Sequence, residues 1–201
     1  MKIVLADYGA GNLRSVSSAL ARAGAGAETV ISPDPEVVRE ADLAVIAGVG
    51  HLGACAEGLQ KTGLAEALRE RVVADRPVLG ICVGLQVLFE ESEEGGKGLG
   101  LFRGPVVRLK ARRVPHMGWN TLSLRGTPSI LDGLDGEDVY FAHSYSVRPL
   151  EELPGAEVEH GGPIVAAVER GALAGVQFHP ERSARAGARL LKNVIAWSRS
   201  A

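Results

Sequence analysis

The chain has 201 residues, 46% of them hydrophobic and 23% charged, which suffices for one full core and excludes a disordered, collagenous or coiled-coil protein. Its 22 basic and 24 acidic residues leave a formal charge of -2, so no basic surplus marks a nucleic-acid or anionic-lipid surface. Glycine, at 26 residues, runs near twice the usual ~7% with no period and no low-complexity run, so its placement needs explaining.

The first predicted element is a buried strand, Ile3 to Ala6; its four apolar residues before Asp7 are too few for a signal-peptide core or a membrane span, which points to the cytoplasm. Leu13, Val16, Leu20 and Ala23 then mark one face of a helix ending at Gly24. A strand near Thr29 to Ile31 and a short helix from Pro35 follow. Leu43 to Ala47 and Pro77 to Cys82 read as further strands, with a helical pattern of Leu59, Leu64, Leu68 and Val72 between them and another helix over Val83 to Glu91. The alternation predicts an α/β fold: a doubly wound, largely parallel sheet with helices on both faces. From about Gly95 the runs Val106 to Leu109, Val139 to Ala142, Ile164 to Val168 and Ala174 to Phe178 are separated by Gly and Pro turns and read as antiparallel additions. Gly95 to Leu134 allows several loop arrangements. A last helix carries Leu190, Leu191, Val194, Ile195 and Trp197, with Ser183 as its N-cap. No linker or repeat interrupts the chain, so one domain is expected over residues 1–201. Cys55 and Cys82 match no disulfide or zinc spacing and read as free thiols.

Three loops at the carboxyl ends of predicted strands carry residues suited to one chemistry. Gly80-Ile81-Cys82-Val83-Gly84 joins a strand to a helix as a nucleophile elbow does, with cysteine as the nucleophile, the N–H of Val83 open to an oxyanion, and a helix start favouring thiolate. A buried structural cysteine is the competing reading of Cys82. In Gln177-Phe178-His179-Pro180-Glu181, proline ends the strand and leaves His179 and Glu181 on a turn, where His179 can shuttle a proton to Cys82 and Glu181 can orient the imidazole. An incidental surface pair is the alternative, and His-x-Glu lacks metal-ligand spacing. Gly48-Val49-Gly50 follows the third strand, where peptide N–H groups of Val49 and Gly50 can complete an oxyanion hole opposite Val83. Gly9-Ala10-Gly11 opens the first helix, but Arg14 stands where a dinucleotide fingerprint needs its third glycine.

The elbow and the His-x-Glu turn, as Gly80 to Gln86 and Gln177 to Glu181, resemble those of the class I, triad-type glutamine amidotransferases. Asp7 to Leu13, Pro115 to Asn120 and His143-Ser144-Tyr145 narrow the likeness to the glutaminase subunits that serve imidazole glycerol phosphate synthesis in the histidine pathway. The resemblance covers essentially the whole chain. It implies Cys82 as nucleophile, His179 as general base and acid, and Glu181 as orienting carboxylate. It also implies glutamine binding by Gln86 and the backbone of Gly50, Ser144 and Tyr145, with no cofactor and no metal. The implied partner is a (β/α)8-barrel cyclase subunit in a heterodimer, met through Asn12, Trp119, Asn120, Tyr140 and Arg182 and fed with ammonia. Core packing is the alternative for Trp119 and Tyr140, and His116 and His143 read equally as structural histidines. Two departures stand out: Ala47 occupies a place where the family usually has proline, and Leu52 one where an aromatic is common. The glutaminase of pyridoxal phosphate synthase shares the elbow and turn, but the Pro115 to Asn120 segment argues against it; a scaffold that kept the fold is opposed by the intact Cys82, His179 and Glu181.

Overall fold

The computed structural model describes residues 1–9, 11–24 and 26–200, so Ala10 of the first predicted turn lies outside the described residues. The first half alternates as its periodicity predicts: β1 (Lys2–Ala6), α1 (Leu13–Ala23), β2 (Glu28–Ser32), α2 (Pro35–Arg39), β3 (Leu43–Gly48), α3 (Leu52–Lys61), α4 (Leu64–Val73) and β4 (Val78–Cys82). The α1 stripe buries Leu13, Val16, Ala19 and Leu20. At α2, Asp34 accepts the Glu36 N–H and Pro35 sits in the first turn, where a missing N–H costs nothing. β3 and β4 are buried along their whole length, as parallel strands covered on both faces must be.

Two predicted helices differ. The pattern from Leu59 to Val72 is split into α3 and α4 because Gly63 takes a left-handed φ of 75° between them. The helix expected over Val83 to Glu91 stops after one turn, as α5 (Val83–Gln86). Val87, Leu88 and Phe89 are fully buried and have no polar face to offer solvent. Their carbonyls instead accept N–H groups from the returning segment, Leu99 on Val87, Leu101 and Phe102 on Leu88, and Gly100 on Phe89.

The second half supplies β5 (Glu91–Ser92), β6 (Pro105–Arg108), β7 (His116–Thr121), β8 (Ser123–Arg125), β9 (Asp138–His143), β10 (Tyr145–Val147), β11 (Gly155–Glu159), β12 (Pro163–Arg170), β13 (Leu173–Val176) and α6 (Ala184–Trp197). The central sheet runs β2-β1-β3-β4-β13-β12-β11-β8, with two smaller sheets, β10-β6-β5 and β7-β9. The run Ala174 to Phe178 is antiparallel to one neighbour only: β13 pairs antiparallel with β12, as expected, and in parallel with β4. The β12-β13 hairpin docks its second strand on the β4 edge, which brings the chain after β13 beside the end of β4. Val106 to Leu109 and Val139 to Ala142 pair in the smaller sheets, not in the central one. β1 to β2 moves one way along the sheet and β2 to β3 moves back, so right-handed crossovers put α1 opposite α2. Accordingly α1 packs with α6, and α2 and α3 pack with α4. Ser183 stands at the N-cap position of α6 without capping it; its hydroxyl donates to the His179 carbonyl at 2.7 Å and accepts the Tyr140 N–H at 2.9 Å.

Two buried polar devices hold these layers in register. The Arg71 guanidinium, from α4, donates to the carbonyls of Val38, Arg39 and Ala41 and, at 2.7 Å, to that of Pro77. One side chain thus ties the end of α2 to the starts of β3 and β4. Burial pulls this group down to about 10, so it stays charged at neutral pH.

The second device lies in the β7-β9 ribbon. His143 Nδ1 donates to the Tyr145 carbonyl at 2.8 Å, His116 Nδ1 donates to His143 Nε2 at 3.0 Å, and the Asn120 amide donates to His116 Nε2 at 3.2 Å. A carbonyl can only accept, so each tautomer sets the next and both imidazoles are neutral. Desolvation by burial lowers both histidines to about 4.

Arg71→Met removes four buried hydrogen bonds and leaves the Arg39 carbonyl without its donor, which should cost about 2–4 kcal/mol in urea unfolding, whereas a loss under about 1 kcal/mol would show the guanidinium to be dispensable. For His116 and His143 the folded-state value of about 4 lies below the ordinary 6.5, so the unfolded chain takes up protons first as pH falls. Their contribution is intact above pH 6.5 and is lost towards pH 4; denaturant titrations should register a decline on the order of 2–4 kcal/mol across that window, reduced in His116→Phe.

Candidate active site

The end of β4 turns into α5 through Cys82, whose φ of 56° and ψ of -111° lie outside the regions side chains favour. Backbone crowding makes that turn possible only with glycine on either side. A Cβ on Gly80 would meet the Gly84 carbonyl oxygen at 2.5 Å, and one on Gly84 would meet the Ile46 carbonyl oxygen at 1.9 Å. The elbow is therefore pressed against β3, its sulfur is almost wholly buried, and the Val83 N–H opens the first turn of α5.

The segment after β13 brings His179 to the same place. Its backbone is held by its N–H on the Tyr140 carbonyl at 2.8 Å and by the Ser183 hydroxyl on its own carbonyl. His179 Nδ1 meets Glu181 Oε1 at 3.0 Å, and both side chains are nearly buried. The second carboxylate oxygen, Glu181 Oε2, has no partner among the described residues, so the carboxylate acts on the imidazole alone. Desolvation by burial lowers the proton affinity of His179, but the hydrogen bonds and charges of Cys82 and Glu181 outweigh it and raise the group to about 10.

Opposite the elbow lies the Gly48 to His51 loop, held at both ends. At its base the buried Tyr8 hydroxyl donates to the Ala47 carbonyl at 2.9 Å. Desolvation keeps this phenol far above its ordinary range, so it is always the donor. At its far end His51 caps α3, accepting the Gly53 N–H at 3.0 Å on Nδ1 and donating from Nε2 to the Glu94 carbonyl at 3.1 Å. Between the two clamps Val49 is 49% exposed and Gly50 takes a φ of 91°.

A cavity of about 440 Å³ joins these pieces. Cys82, His179, Glu181, Val49, Gly50, Val83, Gln86, Ser144 and Tyr145 all line it, so the three loops and the glutamine-binding positions expected from sequence converge. Asn12 and Arg182 line it as well, while Trp119, Asn120 and Tyr140 do not. Trp119 is 54% exposed and meets the Tyr140 ring edge-on, and the Arg182 guanidinium lies 4.3 Å over that ring. The packing alternative for Trp119 is thereby excluded. The Asn120 amide is employed inside the ribbon, on His116, the Glu159 carbonyl and the Thr121 N–H, and offers little to an external group. Cys55 is buried and desolvation raises its thiol to about 11, which leaves it inert.

Sequence reasoning missed three side chains. Glu94 lines the cavity and accepts the Leu52 N–H at 3.3 Å, but it stands in an acidic run that reads as solvated surface. Tyr8 and Gln177 sit inside quoted motifs, and no spacing rule marks either as touching the site.

The family profile for glutamine amidotransferase class-I matches residues 4–197. Imidazole glycerol phosphate synthase subunit HisH of Rhodospirillum rubrum is 45% identical, with 98% of this chain and 100% of that protein aligned. The protein of the same name from Corynebacterium glutamicum is 45% identical over 96% of this chain and 97% of its own length. A crystal structure of a glutamine amidotransferase superposes with a TM-score of 0.76 at 19% identity over 98% of both chains, a likeness of fold alone. With the family profile spanning nearly its whole length and curated relatives aligned end to end, the chain belongs to the class-I glutamine amidotransferases, among the HisH subunits of imidazole glycerol phosphate synthase.

Proposed function

We propose that this subunit hydrolyses L-glutamine through a thioester on Cys82 and passes the ammonia to a (β/α)8-barrel cyclase subunit in a heterodimer. The observation that carries this reading is the convergence of a strained cysteine elbow, an imidazole hydrogen-bonded to a buried carboxylate, and a glycine loop on one cavity. With the proton on His179, the Cys82 sulfur attacks the side-chain amide carbon as a thiolate. The N–H groups of Val83 and of the Val49-Gly50 loop receive the oxyanion, His179 gives its proton to the nitrogen, and ammonia leaves. His179 then takes a proton from water, which attacks the thioester carbonyl and releases glutamate. Glu181 steadies the imidazolium throughout.

The amino-acid head of glutamine fits between Gln86, Glu94 and the backbone of Ser144 and Tyr145. Both N–H groups of Gln86 are engaged, on the Tyr145 carbonyl at 2.9 Å and on Gln177 at 3.0 Å, so it meets the substrate only through its carbonyl oxygen. That oxygen and the Glu94 carboxylate suit the α-ammonium, and backbone N–H groups suit the α-carboxylate.

Free ammonia in water is diluted and protonated, so the acceptor must be brought to the cavity. Exposed Val49, Met117 and Trp119, with Tyr140 and Arg182 beside them, make an apolar and aromatic rim suited to a protein partner. In this reading the cyclase joins the ammonia to its ribulosyl formimino aminoimidazole carboxamide ribonucleotide, giving imidazole glycerol phosphate and an aminoimidazole carboxamide ribonucleotide.

Cys82→Ala in the reconstituted complex should abolish glutamine-dependent synthesis, by at least about a thousandfold, while ammonia-dependent synthesis by the cyclase persists; equal loss of both would make Cys82 structural. Glutamate release by the subunit alone should be slow and should rise at least about tenfold when the cyclase and its nucleotide ligand are added. Full activity without the partner contradicts the coupling.

A further inference from the structure

We infer that Gln177 is a further catalytic residue: its side-chain amide donates a hydrogen bond to the Cys82 sulfur and is held in that orientation by Gln86. The inference rests on the reading of Cys82 as nucleophile. Gln177 follows directly on β13, whose parallel register sets Val176 against Ile81, so the next residue on each strand is Gln177 beside Cys82. The side chain is completely buried, and its Nε2 lies 3.7 Å from the sulfur.

The direction of the bond follows from its neighbours. The Tyr145 carbonyl can only accept, and it receives both His143 Nδ1 at 2.8 Å and Gln86 Nε2 at 2.9 Å. The NH2 of Gln86 therefore faces Tyr145, and its other hydrogen reaches Gln177 at 3.0 Å. A second NH2 there would set donor against donor, so the Gln177 oxygen faces Gln86 and its NH2 faces the sulfur.

An N–H donor favours the anionic sulfur over the thiol. The amide can do so without quenching the nucleophile, because it has no proton to transfer at neutral pH. That separates it from His179, which moves the proton, and from Val83, whose N–H serves the substrate oxygen. The need is sharpened by the shortness of α5, which offers the sulfur a single helical turn.

The test uses the full chain and follows carbamidomethylation of the Cys82 peptide by iodoacetamide from pH 5 to 9, with glutaminase kinetics in the complex with the cyclase. Gln177→Met keeps the length of the side chain and leaves His179, Glu181 and Tyr8, the titratable groups around the sulfur, in place. Alkylation at pH 7 should slow about five- to tenfold with its profile displaced to higher pH, kcat should fall comparably, and KM for glutamine should stay within about twofold. A folded Gln177→Met protein whose alkylation profile superimposes on the wild type overturns the proposal. Gln86→Met decides the matter should Gln177→Met fail to fold: a released Gln177 should slow alkylation about two- to threefold, and an unchanged rate again overturns the proposal. Wild-type glutaminase that survives complete Cys82 alkylation refutes the nucleophile assignment itself, a result distinct from either variant's.

Discussion

The close approach of α5 to β3 is the constraint on which the site depends. Gly84 touches the Ile46 carbonyl so nearly that no side chain fits, and Gly80 is covered by the turn it precedes. That contact goes with a positive φ at Cys82 and leaves Cys82 and Val83 on the same cavity as the loop after β3. The strain is tolerated because β4 is buried between β3 and β13, two parallel neighbours that fix its register on both edges. Part of the glycine excess thus records how little room the backbone leaves around one cysteine.

The same topology decides which groups reach that cysteine. Parallel pairing of β13 with β4 places Gln177 and His179 at its level, and Ser183 secures the turn by bridging two backbone groups instead of capping α6. Around the sulfur the polar side chains divide into those that exchange protons and those that only orient. In the proposed mechanism His179 belongs to the first kind and Glu181, which orients it, to the second. Gln86, Gln177, His143 and His116 belong to the second, because their donors and acceptors are matched in a fixed direction.

Much of this arrangement was legible in the residues. Runs of three to six residues alternating with helical stripes marked β1 to β4, and the positions of Cys82 and His179 after strand ends placed them on loops that the structure brings to one cavity. What was not legible depended on long-range partners. The end of α5 is set by hydrogen bonds from Leu99 to Phe102, which no local propensity encodes. β7, β8, β10 and β11 are short strands whose polar faces look like loops until they find neighbours. The direction of β13 follows from where the β12-β13 hairpin docks, not from its apolar pattern. Glu94, Tyr8 and Gln177 were missed for the same reason: each acts on a residue at least 39 positions away.

The Tyr8 hydroxyl on the Ala47 carbonyl bears on how stiff the glycine loop is. A proline at position 47 would restrict φ of that residue through its ring, whereas the phenol restrains the other side of the same residue through its carbonyl. The base of the loop can therefore be steadied from two distant places in the chain, one covalent and one not. With alanine at position 47, the carbonyl bond is the tie that holds the base of the loop to the segment after β1, so the loop's stiffness rests on one buried hydroxyl.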